Sequence, residues 1–171
     1  MARMKARGIE THLGRKIVRF DADRVVTEGG EFAADLILFT PGLTGPAWIE
    51  ATALPKSAGG FIASDEICRV IGFERTYVVG DGGSFPGPDW MPKQAHQADL
   101  QALAAVANVA AELEGRAPTH RFKPELICIV DTLDAGILVF RDQQRSFTLP
   151  PLGPLHTLKA MFEQRYISVY R

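Results

Sequence analysis

The chain of 171 residues lacks the features that mark metal-binding, membrane-spanning or nucleic-acid-binding proteins. Its two cysteines, Cys68 and Cys128, form no CxxC pair, which argues against a zinc knuckle. No apolar run approaches the roughly 18–20 residues of a membrane-spanning helix. The formal net charge of −1 gives no general attraction to nucleic acid. Because the basic first residues lack the apolar centre of a signal peptide, we expect a cytoplasmic location with reduced thiols.

Two further absences concern cofactors. The four histidines show no spacing typical of metal ligands, so no metal site is predicted. The sequence has no Gly-x-Gly-x-x-Gly loop, whose backbone amides hold the pyrophosphate of a dinucleotide. The composition, with 46 % hydrophobic and 23 % charged residues, nevertheless indicates a folded chain of one ordinary domain or two small ones.

The most informative stretch covers residues 76–93. A β-branched and aromatic run ends on Gly80 and Asp81, where a strand would leave its sheet, and a loop rich in glycine and proline follows. Pro92 then opens an alanine-rich segment that is predicted as a helix over residues 93–114. An acidic residue at the end of a strand, facing a helix amino terminus, is typical of cofactor sites in α/β proteins. A surface strand, loop and helix with a capping aspartate is the structural alternative.

The predicted helix carries apolar residues at spacings of three and four. This pattern predicts a stripe that packs on a sheet, with the alanines allowing close approach. The stripe consists of Leu100, Leu103, Ala107, Ala110 and Leu113.

The residues before this stretch predict a short helix ended by Gly8, whose beginning is absent, and several short strands. Residues 35–39 are an apolar run with one acid at its start, which is typical of a buried central strand. The predicted strands cover residues 9–13, 16–20, 24–26, 31–40 and 59–63.

The residues after the helix predict a hairpin and a terminal helix. Strands over residues 125–131 and 135–141 flank a short turn. Residues 155–171 are predicted to form an amphipathic helix with an apolar stripe and flanking cations. Such a helix suits a membrane interface, a dimer contact or packing on the protein's own body.

The order of these features resembles the carboxyl-terminal portion of flavoproteins with two dinucleotide-binding domains. Residues 40–42, Thr-Pro-Gly, resemble the turn at the exit of the NAD-like domain in those proteins. Residues 77–81, Tyr-Val-Val-Gly-Asp, resemble their second flavin motif, in which the aspartate binds the ribityl chain of FAD. Residues 91–93, Met-Pro-Lys, resemble the segment that places a helix amino terminus at the isoalloxazine ring.

Within these flavoproteins the chain resembles the sulfide:quinone oxidoreductase branch. Cys68 lies shortly before Gly80, where that branch has an active-site cysteine, and residues 125–131 and 150–159 resemble its carboxyl-terminal domain. Type-II NADH dehydrogenases and flavocytochrome c sulfide dehydrogenase subunits are the nearest relatives with which it could be confused.

The resemblance implies an α/β fold, namely a fragment of the FAD/NAD(P)-binding fold followed by a small α+β domain. Residues 1–42 would end the NAD-like domain, residues 43–116 would close the FAD-binding domain, and residues 117–171 would form a domain facing quinone and membrane.

The resemblance also implies an activity, the FAD-dependent transfer of two electrons from sulfide to a quinone. Cys68 would be the catalytic cysteine. This role requires a lowered pKa of its thiol, which the charge of Arg69 would favour, whereas a buried structural cysteine is the alternative. Cys128, inside a predicted strand, is interpreted as a small buried hydrophobe. The implied cofactor-binding residues are Thr40, Gly42, Gly80, Asp81, Pro92 and Lys93.

The implied partners are sulfide and quinone, with no nucleic acid. Residues 155–171 would contact the inner face of a membrane, and a homo-oligomer is a further expectation. The missing phosphate loop and the missing partner cysteine of the family predict that the chain is a fragment or a truncated product. Two alternatives therefore stay open: a type-II NADH dehydrogenase or another flavin oxidoreductase, and a non-catalytic module that docks on a membrane or a partner.

Overall fold

The computed structural model describes residues 2–132 and 134–168. The chain divides into two compact units, Met1–Leu43 and Thr44–Arg171. The predicted end of the first domain at residue 42 lies one position before this division. The predicted boundary between residues 116 and 117 falls inside the second unit.

The first unit contains one short helix and an antiparallel three-stranded meander. Helix α1 (Ala2–Ala6) is followed by a turn at residues 7 and 8, where Gly8 was predicted to end the helix. The φ of Gly8 is 70°, a conformation that suits glycine, and its N–H donates to the Lys5 carbonyl at 3.0 Å. Short β-branched runs separated by turn residues give the meander its strands. These are β1 (Ile17–Asp21), β2 (Arg24–Thr27) and β3 (Gly30–Ala33), in that order.

Two predicted strands of the first unit are wrong. Residues 9–13 and 35–39 lie outside any strand. Although the second run has the composition of a buried strand, the side chains of Leu36 and Leu38 are 74 % and 81 % exposed. A buried strand needs hydrogen-bonding neighbours at its edges. No described strand of the first unit pairs with residues 35–39.

The second unit combines a long helix with two small sheets. One sheet is a parallel pair, β4 (Ile62–Ala63) and β5 (Gly83–Ser84), in which Ile62 pairs with Gly83. The other elements are α2 (Ala47–Glu50), α3 (Ala95–Leu113), β6 (Leu126–Asp131), β7 (Gly136–Arg141), β8 (Ser146–Thr148) and α4 (Gly153–Ser168).

The predicted hairpin is confirmed. Strands β6 and β7 pair antiparallel with Cys128 opposite Val139. Leu133, within the predicted turn, lies outside the described residues. Strand β8, which the sequence analysis missed, pairs with β7 and completes the sheet. Helix α4 matches the predicted terminal helix, whose last residues, 169–171, lie outside the described part.

The predicted strand before Gly80 is wrong. Its backbone makes one isolated bridge, between Tyr77 and Arg69. The N–H of Val78 donates to the Cys68 carbonyl at 3.0 Å, so the chain folds back on the turn around Cys68 instead of joining a sheet. Asp65 holds that turn by accepting hydrogen bonds from two of its backbone N–H groups.

Helix α3 confirms the predicted long helix, but the face that was predicted to be buried is the exposed one. The expected stripe is largely exposed, with Leu103 at 70 % and Leu113 at 83 %. The buried face instead carries Gln97, Gln101 and Asn108 among small alanines. The apolar periodicity did not predict the buried face of α3, because three amide side chains are buried there. These amides form hydrogen bonds with the backbone of neighbouring segments.

Candidate functional site

A cavity of about 250 Å³ lies between the loop of residues 80–94 and the first turns of α3. Glycines of the loop, acidic side chains, one lysine and amide side chains of α3 line it. Of the residues predicted to bind a cofactor, the cavity brings together Gly80, Asp81, Pro92 and Lys93.

Gly80 forms the wall of the cavity next to α3. Its φ is 69°, a left-handed conformation that favours glycine. Its N–H donates to Oε1 of Gln101 at 2.8 Å. A Cβ added at this position would lie 3.4 Å from the Cβ of Ala98, in van der Waals contact with it. Glycine therefore permits both the turn and the close approach of the backbone to the helix.

The ammonium of Lys93 spans the glycine turn. Its Nζ donates to the Asp81 carbonyl at 3.1 Å and to the Gly83 carbonyl at 2.5 Å, and lies 3.9 Å from the ring centroid of Phe61. Burial lowers the pKa of Lys93, and the Asp81 carboxylate opposes that effect. An ammonium has three donors. Two of them are used by carbonyls, and the Phe61 ring lies over the same cation, so the ammonium is held in place beside the cavity.

Asp81 lies in a single turn of 3-10 helix, Gly80–Gly82, with an exposed side chain. Its carboxylate lines the cavity and accepts no hydrogen bond from the residues that the structure describes. An exposed carboxylate at this place is suited to accept hydrogen bonds from hydroxyl groups of a ligand.

The amino terminus of α3 is uncapped. The helix begins at Ala95, with Gln94 as the N-cap residue, and no side chain accepts a hydrogen bond from its first turn. The amide of Gln94 instead donates to the Ile127 carbonyl at 3.4 Å. Pro92, predicted in the first helical turn, lies before the helix. The free N–H groups and the helix dipole give this end of the cavity a partial positive charge.

Buried amides on α3 hold the surroundings of the cavity in place. Gln97 accepts from the Glu125 N–H at 2.8 Å, and Asn108 donates to the Ile67 and His120 carbonyls. The sequence analysis did not single out these residues, because it considered only the apolar side chains of the helix. Their spacing on one helical face was the available signal.

Cys68 does not have the environment predicted for it. Its side chain is fully buried in a cluster with Ala104, Ala105 and Phe122. Burial, with a smaller contribution from Asp65, raises the pKa of the Cys68 thiol to about 12. The thiol donates to the backbone carbonyl of Gln101 at 3.7 Å.

The expected lowering of the Cys68 pKa by Arg69 is therefore wrong. The guanidinium of Arg69 pairs with Asp65 at 3.4 Å, so a carboxylate balances its charge. The structural alternative describes the geometry of Cys68, and its catalytic role stays a prediction.

Cys128 was expected to be a buried hydrophobe. In the structure it lies on β6 and is only half-buried. It follows Ile127, whose carbonyl accepts the hydrogen bond from the cavity residue Gln94. Of the two thiols in the chain, Cys128 is the one with solvent contact.

The two remaining predicted cofactor residues lie in the first unit. Thr40 and Gly42 are exposed and outside regular secondary structure. Their predicted contact with a cofactor stays a prediction.

The cavity fits one end of FAD. Gly80 leaves the backbone open, Asp81 offers acceptors to ribityl hydroxyls, and Lys93 with the α3 terminus offers positive charge to an electron-rich ring edge. Its volume of about 250 Å³ is below the roughly 300–1,000 Å³ of complete small-molecule sites. With no pyrophosphate-binding loop in the sequence, the residues present fit the ribityl and ring end of the cofactor.

Two histidines pair with carboxylates outside the cavity. Nε2 of His96 lies 2.7 Å from Glu125, and Nδ1 of His156 lies 2.8 Å from Asp131. The hydrogen bond with His156 holds the pKa of Asp131 below its usual range. In the described part of the chain, no group of three or more His, Cys, Asp or Glu side chains is arranged to hold a metal ion.

Helix α4 leaves an apolar surface uncovered. Leu155 is buried, whereas Leu158, Met161 and Phe162 are more than half exposed. Farther along, the Tyr166 hydroxyl donates to Asp99 at 3.1 Å. Among the helices that the structure describes, none has the length and apolar character needed to cross a membrane.

Comparison with known proteins gives a likeness of fold. No protein-family description matches the chain, and no curated protein matches it. Among 59 solved chains that match is the sulfide:quinone oxidoreductase from the hyperthermophilic bacterium Aquifex aeolicus. The likeness has a TM-score of 0.84 at 18 % sequence identity and covers 97 % of this chain but 43 % of that chain. The α/β fold is thus confirmed as part of such a structure. The chain spans less than half of the length of that oxidoreductase.

Proposed function

We propose that the chain carries the flavin-facing part of an FAD-dependent oxidoreductase that moves two electrons from sulfide to a quinone. The observation that supports it is the cavity at which the Gly80–Gly82 turn, the Lys93 ammonium and the uncapped end of α3 meet. The likeness of fold to part of a sulfide:quinone oxidoreductase favours this activity among flavin chemistries.

Each cavity residue has a part in holding the cofactor. Asp81 would accept hydrogen bonds from ribityl hydroxyls, and Gly80 would let the backbone approach. Lys93 and the dipole of α3 would stabilise negative charge on the ring. FAD supplies the two-electron chemistry when bound.

The reaction balances without a further reactant. Hydrogen sulfide gives up two electrons and two protons and becomes zero-valent sulfur, and the quinone takes up both to become a quinol. A cysteine that receives the sulfur must expose its thiol. Cys128 meets this condition in the structure, whereas Cys68 meets it only when the cover formed by Ala104, Ala105 and Phe122 opens.

Quinone reduction by the FAD-loaded chain tests the activity. We expect sulfide to support reduction of a short-chain quinone and the Cys128→Ser and Cys68→Ser variants to identify the thiol that handles sulfur. If only one of the two variants loses sulfide-dependent quinone reduction, the cysteine replaced in that variant is the one that handles sulfur. An unmodified, FAD-loaded chain that reduces the quinone with NADH as donor but not with sulfide would contradict the proposal and favour a type-II NADH dehydrogenase.

Helix α4 would bring the site to its lipid-soluble acceptor. We propose that Leu158, Met161 and Phe162 enter the lipid interface on the inner face of the cell membrane. Lys159 and Arg165 would then lie near anionic headgroups. This surface is compatible with the absence of a spanning helix among the described residues.

A second candidate belongs to another class. The uncovered apolar surface of α4, formed by Leu158, Met161 and Phe162, would also serve a non-catalytic module that docks on a membrane or a partner. A chain that stays colourless after incubation with FAD, yet sediments with vesicles, would support this candidate over the first.

A further inference from the structure

The ring of Phe61 lies against the lysine of the cavity. Its centroid is 3.9 Å from the Nζ of Lys93, well within the roughly 6 Å over which a cation is attracted to an aromatic face. Phe61 is not among the described residues that line the cavity itself. It can therefore act on a ligand there through Lys93.

Strand β4 gives the ring its direction. Ile62 begins this strand, pairs with Gly83 of β5 and is buried in an apolar cluster. Because neighbouring side chains of an extended chain point to opposite sides, Phe61 points away from that cluster. The same pairing places Gly83, whose carbonyl accepts a hydrogen bond from Lys93, beside the residue that follows Phe61.

Glycines leave room for the ring. A Cβ added at Gly59 would lie 3.0 Å from Cε2 of Phe61, closer than ordinary van der Waals contact. The φ of Gly60 is 77°, in the left-handed region that favours glycine. The glycines of this turn thus fix where the ring can lie.

Three electron-rich groups contact the ammonium of Lys93, namely the Asp81 and Gly83 carbonyls and the Phe61 ring. Burial disfavours the charged form of Lys93 and lowers its pKa. The face of an aromatic ring carries negative charge density, so the ring attracts the cation while covering it. An aliphatic side chain of similar size would cover the ammonium without attracting it.

We infer that Phe61 is a positioning residue, whose ring holds the Lys93 ammonium at the cavity and so sets how strongly Lys93 stabilises negative charge on a bound flavin. The part of the inference that concerns flavin rests on the proposed function. The placement of Lys93 does not, and it can be measured on the chain without FAD.

Nitrogen-15 NMR of the lysine ammonium groups tests the placement in the chain without FAD. The Lys93 signal is the one that disappears in Lys93→Met. Because a held ammonium exchanges its protons with water slowly, we expect Phe61→Leu to speed this exchange at least about threefold. Phe61→Tyr, which keeps the ring, should leave the rate within about twofold. Phe73→Leu, the same change at an exposed phenylalanine, is the matched control and should have no effect, and circular dichroism checks that each variant folds.

The midpoint potential of bound FAD tests the consequence for the flavin. Phe61→Leu should lower this potential by about 15–30 mV, which is about three- to tenfold weaker stabilisation of the reduced form in a two-electron couple. In a Lys93→Met background the same change should alter that stabilisation less than about 1.5-fold, because the ring acts through the ammonium.

Two results would overturn the inference. Exchange at Lys93 that Phe61→Leu leaves unchanged, or speeds no more than Phe61→Tyr does, would show that the ring does not hold the ammonium. An equal shift of potential in the Lys93→Met background would show that Phe61 does not act through Lys93. A chain that retains no FAD would contradict the proposed function instead, and the exchange rate would still decide the placement of Lys93.

Discussion

The backbone N–H of Gly80 donates a hydrogen bond of 2.8 Å to the side-chain Oε1 of Gln101, which is buried on the inner face of α3. The backbone carbonyl of Gln101 accepts the thiol of Cys68 at 3.7 Å. Gln101 thus joins the glycine turn of the cavity, the long helix and the buried cysteine.

Replacing Gln101 should loosen the glycine turn. Gln101→Leu leaves the Gly80 N–H without its acceptor, so we expect the free energy of unfolding to fall by about 1–3 kcal/mol. Urea unfolding followed by circular dichroism measures this change. Gln164→Leu, the same substitution at an exposed position of α4, is the control and should change stability by less than about 0.5 kcal/mol. Equal losses in the two variants would show that the hydrogen bond does not stabilise the turn.

A side chain at Gly80 should strain the turn. With a φ of 69° and Ala98 close to the position of an added Cβ, Gly80→Ala should cost about 1–2 kcal/mol of stability and weaken flavin binding. Gly82→Ala provides the comparison, because Gly82 is outside the left-handed region and has open space around it. Thermal unfolding and flavin titration measure both effects, and a Gly80→Ala variant as stable as Gly82→Ala would refute the strain.

The two thiols should react at different rates with iodoacetamide. Cys128 has solvent contact and should be modified in the native chain. Cys68 is fully buried, and its pKa of about 12 leaves roughly one thiolate in ten thousand at pH 8. Mass spectrometry of digested samples locates the label, with the urea-unfolded chain as the control for full reactivity. Rapid modification of Cys68 in the folded chain would contradict its burial. It would support the predicted role of Cys68 as an exposed nucleophile.

The raised pKa of Cys68 should also make the fold sensitive to alkali. Above pH 9 the unfolded thiol ionises before the folded thiol, whose pKa is about 12. The native state then holds the extra proton, so stability falls as the pH rises between these values. We expect Cys68→Ala to have a shallower decline over this range than the unmodified chain. Parallel curves in urea unfolding at several pH values would be the opposite result.

The exposed surface of α4 should bind lipid. Vesicles of phosphatidylcholine with about a quarter phosphatidylglycerol should sediment the chain, and high salt should weaken that binding. Phe162→Ser should reduce the bound fraction severalfold, because it removes a large apolar group from the surface. Phe147→Ser, at an exposed phenylalanine of β8, is the control. Equal binding by the two variants would move the lipid contact away from α4.

The elements that the sequence predicted well are those that depend on neighbours along the chain. The strands of the meander, the β6–β7 hairpin and the extent of α3 follow from turn residues, β-branched runs and helix-forming alanines. The φ of Gly115, 72°, ends α3 in the way its sequence position indicates.

The elements that the sequence predicted poorly depend on distant partners. Residues 35–39 have the pattern of a central strand, but a pattern does not supply the adjacent strands. The buried face of α3 was predicted wrongly, because the prediction followed apolar residues such as Leu103. The amides that are buried instead have backbone partners far along the chain, which the sequence does not reveal. The pKa of Cys68 could not be foreseen from Arg69, because Asp65 is the partner of that charge in three dimensions.

The most direct test of the account is the visible spectrum of the purified chain after incubation with FAD and desalting. We expect retained absorption near about 450 nm from bound flavin, which Lys93→Met should weaken, because it removes the ammonium that spans the glycine turn. Addition of sulfide should then bleach the band. A colourless chain after reconstitution would contradict the claim that its cavity holds the ring end of the cofactor.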